Sequence, residues 1–278
     1  MNYEVFKNFN YVNAIIFNTL YKIPKDVDII VGIPRSGMLI GSLVGEYLNK
    51  PAIDIYSFNQ QIQNVSLNSG SKTPIIDYDK IKKVLLVDDT VFMGTTMNNA
   101  KNFIRKGNYE VLTYCVFVQP GKQKKCDIYC QETEHFIPWN ILKVSSAEAC
   151  FDMDGVLCEE VPHDQDDDGE RYSNFIKNSR QLFIPIQPIN TIVTGRLDKY
   201  RSITENWLHE HGITYGRLIM LNLPNNQERS KIDVGQYKGI VYVKTGLPLF
   251  VESDIGEGST IKRISNKPVF CTKICDLL

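Results

Sequence analysis

No apolar run in the 278 residues approaches the 18 or so that a membrane-spanning helix requires. The opening residues, Met1–Asn13, have polar residues throughout and lack the apolar centre of a secretory leader. Charge of one sign is also missing. Lys plus Arg (31) against Asp plus Glu (32) leaves a net charge of -1, whereas a nucleic-acid binder ordinarily carries a basic surplus. Nucleic acid is therefore not an expected partner. The 7 cysteines are odd in number and contain no CxxC pair, which excludes a disulfide framework and argues against zinc. No repeat of fixed period points to a solenoid or coiled coil. What is present is an ordinary globular balance, 43% hydrophobic and 23% charged. At roughly 150 residues per domain the length predicts about two domains. The expectation is a cytoplasmic, two-domain protein without a transmembrane segment.

The same grammar occurs in both halves: an apolar, β-rich run that ends in small or acidic residues and then gives way to a helical pattern. In the first half the runs are Val27–Val31 and Val84–Val87, followed by helices over Met38–Leu48 and Thr95–Ile104. Further strands are expected at Glu110–Val118 and Cys126–Cys130. In the second half strands are expected at Ala149–Phe151, Thr191–Val193, Leu249–Val251 and Val269–Cys271, with a helix over Tyr200–His211. Strand, loop and helix in repetition read as parallel α/β sheets, here two Rossmann-like domains. The boundary is placed so that residues 1–145 form the first and 146–278 the second.

In the first half, VLLVDDTVFMGTTM (residues 84–97) ends an apolar strand in two adjacent carboxylates. Ligands of open α/β sheets bind beyond the carboxyl ends of the strands. Asp88 and Asp89 repel one another there, and they make sense if they accept sugar hydroxyls or face a metal ion. Gly94, Thr95 and Thr96 then offer backbone N–H groups and hydroxyls at a helix N-terminus, which favours an anion. GIPRSG (residues 32–37) occupies the same strand-to-helix position upstream. Together the two motifs resemble those of type I phosphoribosyltransferases. The resemblance implies that phosphoribosyl pyrophosphate (PRPP) is bound, with Asp88 and Asp89 on the ribose hydroxyls. It further implies Gly94, Thr95 and Thr96 around the 5-phosphate, and Arg35, Ser36 and Gly37 at the leaving pyrophosphate. Met93 departs from the family, which commonly has a hydroxyl residue there. The polar stretch Phe58–Tyr78 corresponds to the family's closing loop, with Lys72 as its candidate cation.

The sharpest motif of the second half is ACFDMDGVLCEE (residues 149–160). Residues i and i+2 of a strand face the same way, so Asp152 and Asp154 address one site. Two buried carboxylates require a cation or a shared proton. The arrangement resembles the haloacid-dehalogenase (HAD) superfamily of phosphatases, in a form with a small cap or none. That resemblance implies Asp152 as nucleophile, Asp154 as acid and base, Thr194 on the phosphoryl group and a lysine on a later helix. Lys231 and Lys238 both qualify, with Lys238 preferred. It also implies Mg²⁺ held by Asp152, Asp154, Glu252 and Asp254. The acidic run Asp164–Gly169 imitates an EF-hand opening, but Phe175 stands where the bidentate glutamate belongs. It reads as a solvated loop over the site, touching substrate through Arg171.

A transferase that leaves a 5-phosphate on its product, joined to a phosphatase, would deliver a bare ribosyl group. The layout is similar to that of bifunctional enzymes that install ribofuranose in bacterial polysaccharides, which implies a saccharide or lipid-linked glycan as acceptor. The alternatives are a nucleobase phosphoribosyltransferase with a nucleotide phosphatase, and a regulator that binds PRPP without catalysis.

Overall fold

A computed structural model describes residues 5–62, 76–104, 108–144, 146–183 and 185–278. Contacts divide the chain into two units, Phe9–His135 and a second built from Phe136–Leu278 with the residues up to Asn8. This division falls upstream of the boundary expected at residue 146, and it assigns the N-terminal segment to the second unit. The segment earns its place there through specific contacts. Phe6 bridges to Phe136 and its ring lies 5.9 Å from that of Phe270, while the Asn8 side-chain amide donates to Asp276 at 2.6 Å.

The first unit contains α1 (Phe9–Phe17), β1 (Ile29–Gly32), α2 (Ser36–Leu48), β2 (Ala52–Asp54), α3 (Ile55–Asn59), β3 (Lys83–Val91), α4 (Thr95–Ile104), β4 (Glu110–Val118) and β5 (Ile128–Glu132). The strands form one sheet in the order β2-β1-β3-β4-β5, and every pair is parallel. β1 and the first half of β3 are buried continuously, as strands covered on both faces must be. β3 does not stop at the acidic pair. It continues to Val91 because β4 keeps offering ladder partners, with Thr90 opposite Phe117 and Val91 opposite Val118.

The second unit contains α5 (Pro138–Val144), β6 (Ala149–Phe151), α6 (Glu170–Asn178), β7 (Ile189–Leu197), α7 (Arg201–Glu210), β8 (Tyr215–Leu221), α8 (Asn226–Arg229), α9 (Val234–Thr245), β9 (Leu249–Glu252), α10 (Ile255–Ser265), β10 (Val269–Cys271) and β11 (Asp276–Leu277). The sheet order is β11-β10-β9-β6-β7-β8. A wholly parallel sheet was expected, but β11 runs antiparallel to β10, so the sheet is mixed. The reason is local: only a short turn separates the two strands, and a parallel return needs a crossover of a dozen or more residues. β6 is central, and its Ala149, Cys150 and Phe151 are all fully buried between β9 and β7. Burial of each such large apolar side chain contributes about 1.5–3 kcal/mol. Among the described residues no helix is long and apolar enough to cross a membrane.

Candidate functional site

At the carboxyl end of β1 the chain turns into α2, and the start of that helix lies directly against the end of β3. A Cβ on Gly37 would stand 2.5 Å from the Val87 carbonyl oxygen and 3.3 Å from Asp88 Oδ1. Only glycine lets the loop approach this closely, so Gly37 and Asp88 are brought together. Asp88 is nearly buried, and its carboxylate accepts the Asp89 backbone N–H at 2.9 Å. Burial, reinforced by the adjacent Asp89 charge, pushes the Asp88 carboxyl up to about 8. Arg35 is exposed at the mouth of the loop and Ser36 begins α2.

Beyond the acids, residues 90–97 enclose a cavity of about 190 Å³ that includes Gly94, Thr95 and Thr96. Gly94 adopts φ +80°, and a Cβ there would stand 2.9 Å from the Lys125 side chain. Both threonines are exposed at the N-terminus of α4, which is the arrangement that attracts an anion. Thr90 is a residue the sequence reading passed over. Its hydroxyl lies 2.8 Å from His135 Nε2, and that imidazole stacks on Phe117. Lys72 lies outside the described residues.

In the second unit β6 ends at Phe151, and Asp152 follows with its N–H donated to the Val251 carbonyl at 3.0 Å. Lys238, near the centre of α9, reaches across. Its Nζ lies 2.9 Å from Asp152 Oδ2, 2.9 Å from Glu252 Oε2 and 2.6 Å from Glu257 Oε2. Burial disfavours the ammonium, yet the Asp152, Glu252 and Glu257 carboxylates hold it well above the usual lysine range. Burial pushes Asp152 well above the carboxylate range, because the Lys238 charge is shared and Glu252 and Asp154 repel. Asp152 Oδ1 is buried without a hydrogen-bond partner. Asp154 has a different surrounding. The fully buried guanidinium of Arg196 donates to it from Nε at 3.0 Å and from Nη2 at 2.5 Å. Burial alone would raise this carboxyl, but Arg196 outweighs it and holds it below the usual range.

These groups line a cavity of only about 50 Å³, shared with Glu160, Gly195, Arg229 and Asp254. Thr194 is not part of the lining. Its hydroxyl is buried and accepts the Arg196 N–H at 3.1 Å, and Gly195 faces the cavity instead. Lys231 is also absent: α9 starts only at Val234, behind the Asp233 cap on the Gln236 N–H, and Lys231 pairs with Glu228 at the surface. The two lysines therefore do not share a helical face. The acidic loop is tied rather than freely solvated, since Asp166 reaches Arg229, Asp167 pairs with Arg171 and Asp168 pairs with Lys199. Arg171 is thus engaged and exposed. Two residues of the cavity were not anticipated. Glu160 carries a carboxyl raised by burial and by the Asp154 and Glu252 charges, and Arg229 has a buried Nε without a partner. Neither has a sequence signal beyond its charge.

Among the described residues, no three His, Cys, Asp or Glu side chains gather as a ready metal site. Of the four expected ligands, Asp154 is held by Arg196 and Glu252 by Lys238 and the N–H groups of Ser253 and Asp254. Asp152 and Asp254 remain to face the cavity, although Asp254 also caps α10 through the Glu257 N–H. The orphaned Asp152 Oδ1 and an excess of carboxylates over cations nevertheless suit a divalent cation.

An all-parallel five-stranded sheet with helices between its strands, and Gly37 packed against Asp88, define the first unit as a parallel α/β domain. The chain belongs to the phosphoribosyl transferase domain family, whose model matches residues 5–148. A bifunctional protein PyrR of Trichormus variabilis is 31% identical over 97 residues, 34% of this chain and 54% of that protein. The chain therefore spans about half the length of that curated relative. Among solved structures, a purine phosphoribosyltransferase of Pyrococcus horikoshii is 24% identical, with 49% of this chain and 92% of that one covered and a TM-score of 0.37. A xanthine-guanine-hypoxanthine phosphoribosyltransferase of Helicobacter pylori is 12% identical over the same shares, also at a TM-score of 0.37.

Proposed function

We propose that the first unit transfers 5-phosphoribosyl from PRPP to an acceptor, and that the second removes the 5-phosphate from the product. The observation that carries the first half is the close approach of Gly37 to Asp88 in a chain of the phosphoribosyl transferase domain family. Asp88 and Asp89 would accept the ribose hydroxyls. Arg35, Ser36 and Gly37 would receive the pyrophosphate as it departs, and Gly94, Thr95 and Thr96 would hold the 5-phosphate. PRPP would arrive as its Mg²⁺ complex.

For the second half, the resemblance to HAD phosphatases is supported by the convergence of Asp152, Asp154 and Lys238 on one small cavity. Asp152 Oδ1 would attack phosphorus, forming an aspartyl-phosphate and breaking the bond to the leaving oxygen, and water would then hydrolyse the intermediate. Lys238 and Arg229 would neutralise the phosphoryl oxygens, and Thr194 would act through the backbone that presents Gly195. Proton delivery falls to Asp154 by resemblance. Its pairing with Arg196 favours the ionised form, however, and the raised carboxyl of Glu160 at the same wall is the better-poised donor. A Mg²⁺ ion held by Asp152 and Asp254 would supply further charge neutralisation.

Two acceptor classes follow. A glycan hydroxyl would yield a ribofuranosylated saccharide, and a nucleobase would yield a nucleoside. The Met93 departure favours a third reading, a regulator that binds PRPP without transferring it. A mass-resolved assay with Mg²⁺, PRPP and a panel of glycosides and nucleobases separates them. An acceptor that gains a phosphoribosyl and then a bare ribosyl mass supports the coupled activity. PRPP that binds but is not consumed by any acceptor sinks the transferase.

A further inference from the structure

The acidic cavity of the second unit, about 50 Å³, has room for a phosphoryl group and little else. The remainder of a phosphate ester must lie elsewhere, and one neighbouring space qualifies. A cavity of about 540 Å³ shares Glu160 and Ser253 with the acidic site as common wall. Gly155 packs tightly against both shared residues, since a Cβ there would stand 2.2 Å from Ser253 Oγ and 2.6 Å from Glu160 Oε2. The size of this larger cavity falls within the range of about 300–1,000 Å³ typical of small-molecule sites.

The lining is mostly apolar, with Glu160, Ser253 and Thr272 as polar groups. Val156, Leu182, Phe183 and Phe270 supply apolar surface, and Lys273 supplies the one cation of the lining. Phe183 lies parallel to Phe151 at 6.4 Å, an interplanar angle of 16° that presents a fixed ring to the cavity. Val156 and Phe270 are almost wholly buried, so the floor is rigid, whereas Leu182 is 46% exposed at the rim. A saccharide brings more hydroxyls than Glu160, Ser253, Thr272 and Lys273 can pair, and each one buried without a partner costs about 1–3 kcal/mol. A flat aromatic group buries its faces here without that penalty and can offer ring heteroatoms to Lys273.

We infer that this cavity receives the leaving-group half of the substrate, and that this half carries a planar aromatic group, as a nucleoside 5′-monophosphate does. The inference rests on the phosphatase reading and selects the nucleobase class among the acceptors.

The test is calorimetric titration of the full-length Asp152→Asn variant with adenosine 5′-monophosphate, uridine 5′-monophosphate and ribose 5-phosphate, beside phosphate release by the unaltered protein. The expected result is at least tenfold tighter binding of both nucleotides than of ribose 5-phosphate. Adding Leu182→Arg at the exposed rim, which spares the core, should erase that preference. Phosphate release without a preference for the aromatic esters, or a preference that survives Leu182→Arg, overturns the inference and leaves the phosphatase reading standing. If no ester binds and none is hydrolysed, both fall.

Discussion

Asp88 and Asp89 in the second half of β3, and Asp152 and Asp154 just beyond β6, are two acidic pairs on central parallel strands. Their surroundings differ. Asp88 meets a backbone amide and the like charge of its neighbour, so its carboxyl rises to about 8. Asp152 and Asp154 each meet a buried cation, Lys238 and Arg196. At the first pair, burial and the neighbouring Asp89 charge both raise the Asp88 carboxyl. The second is already part of a charge network, in which two cations and several carboxylates fix the geometry before substrate arrives. Pairs that read alike in sequence can therefore sit in opposite electrostatic surroundings, one beside a like charge and the other between buried cations.

The largest effect that would sharpen this contrast is at the second pair. Asp152→Asn should lower phosphate release by at least roughly 10⁴-fold, the scale for loss of a nucleophile. Pyrophosphate release from PRPP should persist, and a variant that still liberates phosphate would assign the attack to another group. Next is the first pair. Asp88→Asn with Asp89→Asn should reduce pyrophosphate release by about 10²–10³-fold, the scale of one preorganised electrostatic contact. Phosphate release from an added ester should survive, and an unchanged transferase rate would remove the acids from that site.

Glu160→Gln should cost about 10²-fold in hydrolysis of an alkyl phosphate and much less with p-nitrophenyl phosphate, whose leaving group needs no proton. Equal losses on both esters would return the acid role to Asp154. The smallest effect is on stability. A carboxyl with a raised folded value costs nothing below the unfolded value near 3.9, and its penalty grows with pH until about 8. Asp88→Asn should therefore melt with the unaltered protein near pH 4 and a few degrees above it at pH 8. A melting difference independent of pH would contradict the burial of a titrating Asp88.

The acid pairs and their strands were legible because an apolar run closed by carboxylates is a local pattern. The sequence-stated range for β4, Glu110–Val118, coincides with the strand, and so does the β6 range, Ala149–Phe151. What escaped depends on long-range pairing. Both Lys231 and Lys238 fit the motif, with Lys238 preferred, and the start of α9 behind Asp233 leaves Lys231 off that helix. Arg196 belongs to no local motif, and its partner Asp154 lies a whole helix earlier in the chain. Arg229 and Glu160 become cavity residues only when α8 and the turn after β6 are folded onto β7 and β9. The antiparallel β11 is too short to carry any periodicity of its own.

The assignment of Phe6 and Asn8 to the unit of Phe136, Phe270 and Asp276 has a consequence for synthesis. Phe6 and Asn8 leave the ribosome well before the partners they pack against. At about 5–20 residues per second, on the order of 15–50 s pass between the emergence of Phe6 and that of Phe270. All five strands of the first sheet lie between these residues in sequence, so the contacts of Phe6 with Phe270 and of Asn8 with Asp276 can close only after that sheet's sequence has been made.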